Sequence, residues 1–346
     1  MRTRLASLAL VAVILASSPA CSAARANGGD EDTRVGRGNA PSAEGGAVAE
    51  FLERSISSEA GARSYRLYVP GGYDGGGDLP LIVMLHGCTQ NAADFAAGTR
   101  MNLLAEEGPF LVAYPEQGET NHPQRCWNWY DPAHQAHGRG EPAIIAAITR
   151  EVMSAYRINR RRVYVAGISA GGIMAVTMAA TYPDLYAAVA SHSGVPFAAA
   201  GSVGEAVTLM REGSLLRSHE AARRVLETMG ERRRVIPMIA IHGAADPVVN
   251  AMNTQQLIGQ WMLAYADIEG PAVRSISSTD AGGTESGYTY RVSRAYTGGA
   301  GAVEVWMVED LGHAWSGGSP EGTYTDPRGV DASREIVRFF NMHALP

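Results

Sequence analysis

The chain has 346 residues, 46% of them hydrophobic, and no break in composition divides residues 50–346, which favours one large α/β domain over two smaller ones. A formal net charge of −6 gives no reason to expect nucleic acid or an anionic membrane as a partner. All basic residues are arginine, which excludes catalysis through a lysine Schiff base or a Ser-Lys pair.

The N-terminus has the pattern of an export signal. Two arginines precede an apolar run over residues 5–16, which is too short to span a membrane. Two processing routes remain open. Either residues 1–26 are removed as a signal peptide, or the signal ends before Cys21 and this cysteine carries a lipid anchor. We therefore expect a secreted, extracellular protein, or one held by lipid at the cell surface or in the periplasm.

The rest of the chain predicts a short linker and a folded domain. Residues 27–47 are rich in Gly, Ala, Asp, Glu and Ser and predict a disordered linker. In residues 48–346, apolar runs alternate with helical patterns, which indicates a doubly wound, mostly parallel sheet with helices on both faces. The predicted strands cover residues 65–69, 79–85, 110–114, 162–166, 185–191, 235–241 and 303–308, and the predicted helices cover 92–106, 142–156, 172–181, 254–265 and 333–343.

Two segments interrupt this alternation. Residues 115–140 form a long polar and aromatic stretch, and a loop of such length in a compact domain indicates a working surface. Residues 196–234 predict a cap or a surface insertion. Active sites of doubly wound sheets lie at the carboxyl ends of the strands, where these segments begin.

The segment Gly167-Ile168-Ser169-Ala170-Gly171 lies between a predicted strand and a predicted helix. In that context G-x-S-x-G is typical of a nucleophile elbow, because the small residues allow a sharp turn that exposes the serine hydroxyl. Ser169 is therefore the candidate nucleophile. The alternative is an ordinary serine N-cap of the following helix.

A serine nucleophile needs a neighbouring base, and a suitable acid and base follow later in the chain. Asp246 comes just after the strand at 235–241, and His313 just after the strand at 303–308. Both are thus expected at the same sheet edge as Ser169, in the Ser, Asp, His order of α/β-hydrolases. His313 would be the general base and Asp246 its orienting acid. The alternatives are Asp310 and Asp326 for the acid, and His86, His192, His219 and His242 for the base.

The oxyanion hole of such an enzyme needs two backbone amides. One is expected from Ala170, directly after the nucleophile, and the other from the loop at residues 86–90. That loop contains Cys88, which with Cys126 forms an even pair in an exported chain. We predict a disulfide between them, with two separate buried thiols as the alternative.

Aromatic residues cluster near these motifs. Trp127, Trp129, Tyr130 and Trp315 are candidates for a platform that binds substrate through apolar area. The alternative is that two of these rings are core residues.

Six segments, in order, resemble the polyhydroxybutyrate depolymerase family of esterases, which are α/β-hydrolases related to feruloyl and acetylxylan esterases. The resemblance covers roughly residues 50–340. The matching segments are P-L-I-V-M-L-H-G-C-T-Q at 80–90, Y-P-E-Q at 114–117, C-W-N-W at 126–129, A-G-I-S-A-G-G at 166–172, His242-Gly243 with Asp246, and G-H-A-W-S-G-G at 312–318.

The resemblance implies a catalytic triad of Ser169, Asp246 and His313, and it assigns the oxyanion amides to Cys88 and Ala170. It also makes the Cys88–Cys126 pairing more credible. The implied function is a secreted serine esterase acting on short-chain polyesters or oligomers such as polyhydroxybutyrate. The alternative substrates are feruloyl or acetyl esters of plant polysaccharide, and the non-enzymatic alternative is a catalytically silent binding module.

Neither a cofactor nor a metal is expected, because the chain has no H-E-x-x-H helix and no glycine-rich phosphate loop. No obligate protein partner is expected. The chain departs from the extracellular polymer-degrading members in ending at Pro346, without a linker and a polymer-binding domain. This departure puts attack on crystalline polymer in doubt, but not ester hydrolysis.

Overall fold

The computed structural model describes residues 48–270, 274–283, 287–297 and 300–346. The predicted signal peptide, Cys21 and the linker lie outside the described residues. In the described part, no helix is both long enough and apolar enough to cross a membrane.

A ten-stranded sheet runs through the domain. The strands are β1 (Glu50–Ser58), β2 (Gly61–Val69), β3 (Leu79–Leu85), β4 (Leu111–Pro115), β5 (Ile158–Ile168), β6 (Ala188–His192), β7 (Met238–Gly243), β8 (Arg274–Gly283), β9 (Thr289–Thr297) and β10 (Ala300–Val308), with a separate short pair, β11 (Trp315–Ser316) and β12 (Thr325–Asp326). Their order in the large sheet is β1-β2-β4-β3-β5-β6-β7-β10-β9-β8. The central strands from β4 to β10 are parallel, and both edges are antiparallel.

Helices cover both faces of this sheet. They are α1 (Ala92–Thr99), α2 (Met101–Glu107), α3 (Gly140–Ala155), α4 (Ala170–Thr181), α5 (Val203–Glu212), α6 (Ser218–Met229), α7 (Met252–Glu269) and α8 (Ala332–Asn341). On one face, buried residues of α3 to α7 form a core with the strands. On the other, α1, α2 and α8 form a second core. The predicted α/β-hydrolase architecture is confirmed.

The structure differs from the sequence prediction in three places. The predicted helix at 92–106 is two helices, because Arg100 adopts a left-handed backbone (φ 54°) and its guanidinium donates to Gly317 O at 2.7 Å. The segment at 196–234 contains α5 and α6, two amphipathic helices that pack on the core. The antiparallel edge strands β1, β8 and β9 were not predicted.

Two glycines allow the loops at the carboxyl edge of the sheet to touch. A Cβ atom on Gly171, in the first turn of α4, would lie 2.0 Å from Leu85 O at the end of β3. A Cβ on Gly243, at the end of β7, would lie 2.2 Å from Leu311 O, beyond β10. No side chain fits at these distances, so glycine is required where the backbones approach each other.

The long loop at residues 116–139 is held by a buried carboxylate. Glu141, in the first turn of α3, is fully buried. It accepts hydrogen bonds from Gln117 Nε2 at 2.5 Å and from the backbone and side-chain nitrogens of Asn128, each at 2.7 Å. Arg63 Nη2 lies 3.6 Å from the same carboxylate and supplies a compensating charge. The start and the middle of the loop are therefore attached to one side chain.

Two fully buried histidines fasten further loops at this edge. His86 donates from Nδ1 to Gly87 O at 2.7 Å and accepts at Nε2 from Gln117 N at 3.0 Å. His192 accepts at Nε2 from Ser316 N at 3.2 Å, and its ring stacks on Trp315. Burial lowers the pKa of His86 to about 4 and that of His192 to about 3. Both are therefore neutral structural groups at neutral pH.

Removing the Glu141 carboxylate should destabilise the domain. We expect Glu141→Ala to lower the free energy of unfolding by ~3–5 kcal/mol, because loss of one partner leaves the other buried groups uncompensated. Urea unfolding measures this change. The matched control is Glu119→Ala on the same loop, where the exposed pair with Arg125 should contribute less than ~1 kcal/mol. Equal losses in the two variants would contradict the anchoring role.

Stability should fall as the solution is acidified below the ordinary histidine pKa. Because the pKa values of His86 and His192 are lower in the folded chain, the unfolded chain binds protons more readily. What the two histidines contribute to the free energy of unfolding is fully present above about pH 6.5. It is lost as the pH falls towards about pH 4, at up to ~1.4 kcal/mol per pH unit for each histidine. Urea unfolding between about pH 7 and pH 5 measures this slope. His86→Gln should make this slope shallower, whereas His219→Gln, at an exposed histidine, should leave it unchanged. A free energy of unfolding that does not change with pH would overturn the argument.

Candidate active site

Ser169 occupies the sharp turn between β5 and α4. Its backbone has φ 55° and ψ −125°, a conformation that a residue with a side chain rarely adopts. The turn is fixed by two hydrogen bonds, from Ser169 N to His192 O and from Ile173 N to Ser169 O, each 2.9 Å. Ser169 stands at the N-cap position, but its hydroxyl makes no capping hydrogen bond. The turn therefore presents the hydroxyl without engaging it in the helix.

Asp246 and His313 meet at the same edge of the sheet. His313 Nδ1 donates to Asp246 Oδ2 at 2.7 Å. The other carboxylate oxygen, Oδ1, accepts from the amides of Val248 at 2.8 Å and Val249 at 2.9 Å. Burial raises the pKa of Asp246, but the interactions with His313 and His242 outweigh it and hold that pKa well below its usual range. The carboxylate is thus ionised while its side chain is fully buried.

The alternative acids and bases have other partners. His242 is fully buried, donates from Nε2 to Val249 O at 2.9 Å and bonds through Nδ1 to Thr254 Oγ1 at 2.6 Å. His86 and His192 fasten loops, as described above. His219 and Asp310 are exposed, and Asp326 pairs with Arg328 at 2.8 Å. Asp246 Oδ2 therefore lies near two imidazoles, 2.7 Å from His313 Nδ1 and 3.5 Å from His242 Nε2, and the shorter contact is the hydrogen bond to His313.

Ser169 and His313 line one small cavity of about 20 Å³. In the described part of the chain, no hydrogen bond joins the Ser169 hydroxyl to the imidazole of His313. Such bonds are often long in a site that holds no substrate and shorten when it binds. The cavity is also lined by Gly87, Cys88, Gln90, Ile168 and Tyr324. Tyr324 belongs to no recognisable motif, and sequence reasoning missed it.

The two amides expected to form an oxyanion hole lie next to this cavity. The Ala170 amide is the first of α4, and such an amide has no acceptor within its own helix. In the opposing loop, Gly87 N donates to Gln90 Oε1 at 2.9 Å and Thr89 N donates to Gln124 O at 2.6 Å. Between them, the Cys88 amide has no acceptor among the residues that the structure describes. Both amides are therefore available to a ligand.

The predicted disulfide is confirmed. Cys88 and Cys126 are bonded, with their Cα atoms 4.2 Å apart and a sequence separation of 38. The bond ties the loop after β3 to the long loop that Glu141 anchors. The segment around Cys88 is therefore held by covalent as well as hydrogen bonds.

The predicted tryptophan platform is wrong for this structure. Trp127 is fully buried and donates to His86 O, and Trp315 is buried and donates to Ser333 Oγ. Trp129 is 6% exposed and packs in the core. None of the three lines the cavity at Ser169. A ring enclosed by the core, with its N–H already bonded to protein, has no face to offer a substrate.

Comparisons with known proteins agree with this architecture. A family model described as Esterase PHB depolymerase matches residues 63–282, which is more than half of the chain. Poly(3-hydroxyalkanoate) depolymerase C of Paucimonas lemoignei is 32% identical over 263 residues, covering 75% of this chain and 58% of that protein. Feruloyl esterase B of Neurospora crassa is 32% identical over 188 residues, covering 52% of this chain and 63% of that protein. The chain thus spans about three fifths of the length of these two relatives.

A solved structure has the same fold. The acetyl xylan esterase from Aspergillus awamori superposes with a TM-score of 0.67 at 20% identity, covering 84% of this chain and 99% of that one. At this identity the likeness concerns the fold alone. The match of the family model to more than half of the sequence goes further: this chain belongs to the Esterase PHB depolymerase family.

Proposed function

We propose that this chain is a secreted serine esterase that hydrolyses short-chain polyesters or their oligomers, such as polyhydroxybutyrate, with Ser169, His313 and Asp246 as its catalytic triad. The observation that carries the proposal is the 2.7 Å hydrogen bond from His313 to Asp246 beside a cavity that also contains Ser169. A serine nucleophile needs this arrangement of base and orienting acid. The similarity to a poly(3-hydroxyalkanoate) depolymerase supports the polyester substrate.

In this mechanism Ser169 Oγ attacks the ester carbonyl carbon while His313 Nε2 takes the hydroxyl proton. Because Nδ1 of His313 donates to Asp246, Nε2 is the nitrogen that can accept this proton. The ionised Asp246 then stabilises the imidazolium. His313 returns the proton to the leaving alcohol, and an acyl-enzyme remains. Water, deprotonated by His313, releases the acid and restores Ser169.

The negative charge that develops on the carbonyl oxygen would be held by the amides of Cys88 and Ala170. Two amides that are fixed before the substrate arrives need no reorganisation during the reaction. Loss of one such donor typically lowers turnover by ~10²–10³-fold. The disulfide and the hydrogen bonds of Gly87 and Thr89 support this role, because they hold the Cys88 loop in place.

A second candidate is hydrolysis of acyl esters of plant polysaccharide, which the similarity to a feruloyl esterase supports. A panel of esters separates the two candidates.

Export is supported by the N-terminal sequence and by the disulfide, which is typical of oxidising compartments. We expect the mature protein to begin at Asn27 after removal of residues 1–26. Intact-mass measurement of the protein from the native host checks this cleavage. A mass that fits a lipidated Cys21 would show lipoprotein processing instead, and a full-length mass from outside the cytoplasm would refute both routes.

The catalytic proposal is tested with a panel of p-nitrophenyl acetate, polyhydroxybutyrate oligomers, acetylated xylan and methyl ferulate. We expect Ser169-dependent hydrolysis, with the oligomers the preferred natural substrate and Ser169→Ala lowering kcat by at least ~10³-fold. The matched control is Ser57→Ala, at an exposed serine of β1, which should keep full activity.

Asp246→Asn distinguishes a triad from a lone serine site, because an amide cannot stabilise the imidazolium and turnover should fall ~10⁴-fold. Preference for acetylated xylan would favour the second candidate. Full activity in folded Ser169→Ala would refute the proposed nucleophile.

A further inference from the structure

One side chain that the proposed mechanism does not use lines the small cavity at Ser169. The cavity volume of about 20 Å³ is little more than the space of one water molecule. Most of its lining belongs to the elbow, the loop of Cys88 and His313. Tyr324 is the exception. It comes from the segment between β11 and β12 and contributes the largest side chain of the lining.

Tyr324 is held firmly against the loop of Cys88. Its hydroxyl lies 3.1 Å from Thr89 Oγ1, and its carbonyl accepts from Trp315 N at 2.6 Å. The preceding Thr323 donates from its amide to Asp94 at 2.9 Å and accepts at its carbonyl from Gln90 at 3.0 Å. Tyr324 is thus held at the cavity through its hydroxyl, its backbone carbonyl and the neighbouring Thr323.

The backbone at this position indicates a functional constraint. Tyr324 has φ 51°, and Thr89, which its hydroxyl contacts, has φ 67°. Left-handed conformations are uncommon for residues other than glycine and cluster at active sites and ligand clamps. Tyr324, which lines the cavity, and its partner Thr89 are therefore both held in uncommon backbone conformations by their surroundings.

We propose that Tyr324 is a specificity-determining residue that limits the acyl branch of the substrate to a few carbon atoms. The inference rests on the proposed triad, which places the ester carbonyl between Ser169 and the amides of Cys88 and Ala170. In this proposal the acyl branch lies on the side of the Tyr324 ring, and the alcohol branch lies towards solvent. On a polyester, the acyl branch can then be a single terminal unit. A longer stretch of the polymer is excluded from the acyl side of the ester bond.

The test compares kcat/KM for p-nitrophenyl acetate, butyrate and octanoate. We expect the wild type to prefer acetate over octanoate by about 100-fold, since a small pocket disfavours added methylenes. Tyr324→Ala should lower this ratio at least about tenfold, mainly by raising kcat/KM for octanoate. Tyr324→Leu, which retains apolar packing, should lower it less. Tyr324→Phe should keep it within about twofold, because the limit is steric and does not need the hydroxyl.

The matched control is Tyr73→Ala at the opposite edge of the sheet, where the hydroxyl of Tyr73 accepts from Arg157 N. Its acetate-to-octanoate ratio should equal that of the wild type. An unchanged ratio in folded Tyr324→Ala and Tyr324→Leu that still hydrolyse acetate would overturn the role of Tyr324 and leave the triad intact. Absence of Ser169-dependent hydrolysis of all three esters would instead overturn the proposed function, and this inference with it.

Discussion

Backbone contact between neighbouring loops at the carboxyl edge of the sheet is the constraint on which the rest of the site depends. The elbow of Ser169 touches the end of β3 at Gly171, and the loop of Asp246 touches the loop of His313 at Gly243. Parallel strands bring their carboxyl ends to one edge, but only to within strand spacing. Because Gly171 and Gly243 have no side chain, the backbones approach each other more closely at these two points. Groups that are far apart in sequence thereby reach hydrogen-bonding distance.

Few of the buried titratable groups at the carboxyl edge of the sheet carry a charge. Asp246 is buried and ionised, and it is paired with His313 and with two backbone amides. The neighbouring histidines His86 and His192 are neutral, because burial disfavours their protonated form. Within this set, His313 is the imidazole that both reaches the cavity and faces a carboxylate. A second protonated histidine nearby would oppose the charge that a serine mechanism places on the base.

The sequence predicted the parts of the site that are tied to strand ends. Ser169, Asp246 and His313 each follow an apolar run, and their order along the chain was informative. The prediction that the rings of Trp127 and Trp129 are exposed rested on the polar character of their loop. In the structure, Glu141 and the disulfide hold this loop against the core, and both rings are buried. No sequence pattern indicated Tyr324, since its position depends on its own contact with Thr89 and on that of Thr323 with Gln90, more than two hundred residues away. The edge strand β1 escaped prediction because its half-exposed sequence lacks the continuous apolar runs of β3 and β5.

The Cys88–Cys126 bond couples the proposed oxyanion site to the oxidation state of the chain. The same residue supplies a sulfur to the bond and an amide to the cavity. While the thiols are reduced, the loop at 86–90 keeps its hydrogen bonds but loses its covalent tie. If the chain is exported as proposed, nascent molecules would reach full turnover only after thiol oxidation outside the cytoplasm.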